Sequence, residues 1–77
     1  MRAGIYRHFK GRYYQVIGVA VHSETEERCV VYQALYGERQ LFVRPLAMFA
    51  ETVEREGEIL PRFAYVGQDL PGDAEEK

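Results

Sequence analysis

Tyr13-Tyr14-Gln15-Val16-Ile17-Gly18-Val19-Ala20-Val21-His22 is the stretch on which the reading of this chain turns. It is dominated by β-branched and aromatic residues, which suit a pleated, half-buried surface. It therefore reads as one long strand, interrupted by Gly18. A lone glycine inside a strand marks a bulge or a bend, as at the corner of a small barrel. Upstream, Gly4 to Phe9 is a shorter extended stretch, and Lys10-Gly11-Arg12 a tight turn between the two. Downstream, Ser23-Glu24-Thr25-Glu26-Glu27 is a charged loop.

Arg28 to Tyr36 and Arg39 to Arg44 form a hairpin about Gly37-Glu38. Pro45 ends that hairpin, because it cannot donate to a ladder. It also opens a helical turn over Pro45-Leu46-Ala47-Met48-Phe49. The spacing of Leu46, Phe49, Ala50 and Val53 would let the helix run on, but so short a helix is marginal. Helix and strand both stay open for residues 50–54. Glu56-Gly57 is a turn, and Ile59 to Val66 a last strand, held near an edge by Pro61. The expected fold is mainly β: a small antiparallel SH3-like barrel with one short helical turn. It spans residues 1–68, followed by an acidic, disordered tail over residues 69–77.

Size and composition narrow the function classes. Seventy-seven residues make one domain at most, too small for a deep catalytic cleft. Cys29 is the single cysteine, so there is no intrachain disulfide and no thiol zinc framework. It reads as a small buried hydrophobe. No apolar run is long enough for a signal peptide or a bilayer span, so the expectation is a cytoplasmic protein with no membrane partner. There is no dinucleotide or P-loop glycine pattern, which points to no cofactor. His8 and His22 stand at a spacing that fits no zinc motif, and neither has an evident catalytic partner. No catalytic or metal-binding residue is assigned.

The net charge of −2 is unevenly spread. Arg2, Arg7, Lys10 and Arg12 fall in the first twelve residues with no acid among them. The tail from Asp69 carries a local −3, which leaves the rest of the chain at +1. That is a weak footprint for nucleic acid.

Two groups of residues could carry a function. On a strand, Tyr6, His8 and Lys10 share one face, with Arg7 and Phe9 on the other. Such a face could grip a carboxylate or phosphate, or its charges could guard an exposed edge strand. Arg44 beside Pro45 and Arg62 beside Pro61 form the second group. An arginine offers a planar fork to an anion. The pair could clamp a ligand, or each could form a structural ion pair with Glu38, Glu51 or Glu54. Tyr32 and Tyr36 share a face, as a stacking platform or as packing. The candidate ligand-binding residues are Tyr6, His8, Tyr32, Tyr36, Arg44 and Arg62. The expected role is a small binding module for an anionic ligand or a peptide or protein partner. A small enzyme or a nucleic-acid-binding domain using His8 and the arginines is the alternative. A homodimer formed through an exposed strand edge also fits.

Five segments then resemble a known family. They are Gly4-Ile-Tyr6-Arg7-His8-Phe9-Lys10-Gly11, Tyr14-Gln-Val16-Ile-Gly18-Val19-Ala20, Val31-Tyr32-Gln-Ala-Leu35-Tyr36-Gly37, Val43-Arg44-Pro45-Leu46-Ala-Met48-Phe49 and Pro61-Arg62-Phe63. Together they resemble a family of small bacterial proteins known only as a domain of unknown function. The resemblance covers roughly residues 4 to 66. It implies the domain boundaries and no mechanism. Where that family often carries Trp, this chain has Phe42, which lacks the indole donor.

Overall fold

The computed structural model describes residues 1–71. The elements in chain order are β1 (Gly4–His8), β2 (Tyr13–Val21), β3 (Arg28–Ala34), β4 (Leu41–Pro45), α1 (Leu46–Phe49), β5 (Thr52–Arg55), β6 (Glu58–Pro61) and β7 (Phe63–Gly67). Five strands form one antiparallel sheet in the order β4-β3-β2-β1-β7, and β5 and β6 form a separate hairpin.

The sheet is open. Its end strands β4 and β7 do not pair, so the expected SH3-like closed barrel is not what forms. A helical turn covers the core instead. α1 packs on β3 and β4 and buries Phe49, whose ring stacks on Phe63 at 4.1 Å with the planes 3° apart. Tyr6 and Tyr32 meet the Phe49 ring edge-on at 5.6 and 5.2 Å. With Val16 and Val30 these rings form the buried cluster. Cys29 is buried, as its apolar run suggests.

The long strand bends where the sequence places the bend. Pairing of β2 with β3 shifts register between Val16 and Gly18, which leaves Ile17 as the extra residue of a bulge. A glycine is not sterically required there, since an added Cβ would meet nothing within 4 Å. Gly4 is different. Its φ is +139°, and a Cβ would lie 2.9 Å from the Gly67 carbonyl oxygen. The approach of β7 to β1 thus depends on Gly4 having no side chain.

Near the C-terminus the structure decides one open alternative and corrects one expectation. Residues 50–54 do not extend the helix: Thr52 begins β5. The single last strand over Ile59–Val66 is two strands, broken at Arg62, whose backbone N–H donates to the Glu51 carbonyl. The cause is the turn at Glu56-Gly57, where φ is +54° and +82°. Two successive positive φ values match the twist of a tight hairpin, which pairs Val53 with Leu60. Of the expected tail, residues 72–77 lie outside the described residues.

Candidate functional site

β1 is not an edge strand: it lies between β2 and β7. Its charges therefore do not guard an open edge. Alternation along β1 turns Tyr6 into the core, where it is buried and its hydroxyl donates to the Arg2 carbonyl. Burial pushes the Tyr6 hydroxyl pKa up, partly offset by that hydrogen bond. Tyr6 is thus a packing residue with no open face.

His8 stands at the end of β1, half-buried. Its ring meets Phe63 at 4.9 Å, Tyr14 at 6.4 Å and Phe9 at 4.5 Å. Its Nδ1 accepts the backbone N–H of Lys10 at 3.1 Å. Burial lowers its pKa below the usual histidine value, and the positive charges of Arg62, Lys10 and Arg44 lower it further. Both effects favour the neutral ring.

Phe9 follows the strand, and three cations surround it. Arg55 lies 5.7 Å from its ring centroid, Lys10 5.9 Å and Arg62 6.0 Å. All three distances fall within cation–π reach. Arg55 reaches across from the end of β5 and donates from Nη1 to the Phe9 carbonyl at 3.5 Å. Arg62 donates from Nη2 and Nε to Glu51 Oε1 at 2.7 and 3.1 Å. That is the single salt bridge among the described residues, so no described carboxylate pairs with Lys10, Arg55 or Arg44.

A cavity of about 210 Å³ opens beside this ring. Its wall is apolar, made of Phe9, Leu60, Pro61, Ala64 and Val66, with Arg7 and His8 at its polar side. The hairpin β5–β6 supplies Leu60 and Pro61, and β7 supplies Ala64 and Val66. At this size it holds one side chain or a small group, well short of the roughly 300–1,000 Å³ of cofactor and drug-sized sites.

The remaining candidates are Tyr32, Tyr36 and Arg44. Tyr32 is buried and packs against Phe49, Phe63 and Tyr14, so it is no stacking platform. Its hydroxyl accepts from Arg44 Nε at 3.3 Å. Tyr36 is half-buried and shares a 2.7 Å hydrogen bond with the Tyr14 hydroxyl, and the Arg12 guanidinium lies 4.3 Å from its ring centroid. Burial raises the Tyr14 pKa, and the bond to Tyr36 raises it further. The structure thus brings Arg44 and Arg62 each within electrostatic reach of His8 and sends Tyr6 into the core. Sequence reasoning missed Arg55. The signal was Glu56-Gly57, a hairpin turn whose first strand ends on that residue.

His22 has a local role: its Nδ1 accepts the N–H groups of Glu24 and Thr25 at 3.2 Å each, fastening the β2–β3 loop. No group of three His, Cys, Asp or Glu that could hold a metal ion occurs among the described residues. No helix among them is long and apolar enough to cross a membrane.

A model of a family described as a protein of unknown function, DUF1653, matches residues 4–65. The chain belongs to this family of small bacterial proteins. A crystal structure of a DUF1653 protein from Bordetella bronchiseptica is similar, with 42% identity and a TM-score of 0.86. The match covers 92% of this chain and 94% of that one. No curated protein matches the sequence. The DUF1653 match takes in β1 through Tyr65, and with them the Phe9 ring and its three cations.

Proposed function

We propose that this DUF1653 protein is a binding module for a group that carries an anion beside an apolar side chain, such as the C-terminal residue of a peptide. The observation that supports it is the crowding of Lys10, Arg55 and Arg62 about the Phe9 ring, with only Arg62 held by a described carboxylate. Three cations about one ring make a positive field, and an incoming anion is drawn to it. The adjoining apolar cavity takes the neighbouring side chain, and its volume admits one. Arg62 presents a planar fork to a carboxylate. Glu51 holds that fork in the free protein and gives way to the ligand.

The test is a two-dimensional NMR titration with acetyl-Ala-Leu, once with a free carboxylate and once amidated. The free acid is expected to shift the amide signals of Phe9, Lys10 and Arg62. The amide should bind at least about tenfold more weakly, since a charge-assisted contact is worth about 1.5–3 kcal/mol. Equal binding of the two, or no shift with the free acid, would overturn the proposal.

A further inference from the structure

β4 is an end strand of the sheet, and its edge guards, Arg44 and Pro45, stand only at its C-terminal end, which leaves the Leu41–Val43 stretch uncovered. Leu41 and Val43 are 63% and 68% exposed, and Arg44 is the only charged residue of the strand. The direction of its backbone groups follows from one hydrogen bond. The Ala34 N–H donates to the Gln40 carbonyl. In an antiparallel ladder the bonded pairs alternate. The register Tyr32↔Phe42 and Val30↔Arg44 therefore continues the bonded set, while Gln33↔Leu41 and Val31↔Val43 are the unbonded pairs. The N–H and C=O groups of Leu41 and Val43 thus point away from β3, off the open edge.

We infer that this edge pairs antiparallel with β4 of a second copy of the chain, in the register centred on Phe42. In that register Leu41 of each copy faces Val43 of the other. All four outward groups of each strand then find partners. Shifting the centre to Val43 would set Leu41 against Pro45, which has no N–H, and strand the Leu41 carbonyl. Charge also fits a second copy. Arg44 would face the partner's Gln40 rather than the partner's Arg44, so like charges do not meet. The two Phe42 rings would lie opposite each other across the axis, and Leu41 and Val43 would cover each other on the other face. Two strands of five residues bury less than the roughly 1,200 Å² of a standard interface, so the dimer is weak and concentration-dependent.

Sedimentation velocity from about 10 μM to about 1 mM spans the affinities of such weak interfaces. The protein is expected to pass from monomer to dimer over that range. The double variant Leu41→Lys, Val43→Lys should stay monomeric with its melting temperature little changed. Hydrogen exchange of the unaltered protein gives a second reading that needs no variant. The Leu41 and Val43 amides should exchange severalfold more slowly at the high concentration, while the inward Phe42 amide is protected throughout. A monomer at every concentration would overturn the inference. So would a dimer that survives both lysines, or Leu41 and Val43 exchange that ignores concentration. Because neither lysine touches the Phe9 site, peptide binding by the double variant separates this inference from the proposed function.

Discussion

Phe63 and Phe9 are the same residue in opposite surroundings. The Phe63 ring is buried among Phe49, Tyr14, Tyr32 and His8, stacked on the first and edge-on to the others. The Phe9 ring is half-buried and has Lys10, Arg55 and Arg62 around it. In the first place aromatic contacts and burial hold the sheet to its helical turn. In the second, positive charge gathers on a π-face beside a cavity. One region uses its aromatic surface for packing, and the other leaves it half-buried beside a cavity.

The comparison breaks most visibly through stability. Phe49→Ala removes the ring stacked on Phe63, and should cost about 3–5 kcal/mol, measured by urea denaturation. In a domain of this size that approaches the whole folding free energy. A loss under about 1 kcal/mol would show that the sheet holds itself together without α1. Phe9→Ala should cost much less stability. It should weaken acetyl-Ala-Leu binding about tenfold, because both the cavity wall and the centre of the cation cluster are lost. A stability loss as large as that of Phe49→Ala, with binding intact, would move Phe9 into the core group.

The arginines sharpen the same contrast. Arg62→Lys keeps the charge but loses the fork, so peptide binding should fall severalfold. Stability should change by about 0–1 kcal/mol, the worth of an exposed ion pair such as Arg62–Glu51. A large stability loss with unchanged binding would make the pair purely structural.

The smallest effect is one of pH. The His8 pKa is lower in the folded protein than in the unfolded chain. The unfolded state therefore binds more protons as pH falls below about 6.5, so stability should decline from there down to the folded pKa. His8→Gln should flatten that decline in a series of thermal melts. An unchanged pH profile would assign the decline to other groups.

Much of the fold was legible in the sequence. Strand-forming runs and turn residues gave the β1–β4 succession, and Gly18 marked the bulge. Closure was not legible, because it depends on what covers the core. Phe49 reads as one apolar residue of a short helix, and only its packing on Phe63, Tyr6 and Tyr32 shows it filling the opening. Gly4 carries no local signal either, since its need for a bare Cα comes from Gly67, 63 positions along the chain. At the site, His8, Arg44 and Arg62 were marked by residue type. Arg55 was hidden by an ambiguous apolar spacing over residues 50–54, although Glu56-Gly57 already gave the turn that places it. Tyr6 and Tyr32 have the residue type of a ligand contact, yet strand alternation sends both inward.

The most direct measurement is the His8 imidazole pKa, followed by NMR with and without saturating acetyl-Ala-Leu free acid. Burial lowers the His8 pKa most, and an anion bound among Lys10, Arg55 and Arg62 cancels part of the positive field that lowers it further. The free protein should therefore titrate below the ordinary histidine value of about 6.5, and the complex should titrate higher. Binding should accordingly strengthen as pH falls through that range. An unchanged His8 titration in a complex that has demonstrably formed would place the anion elsewhere and contradict the account.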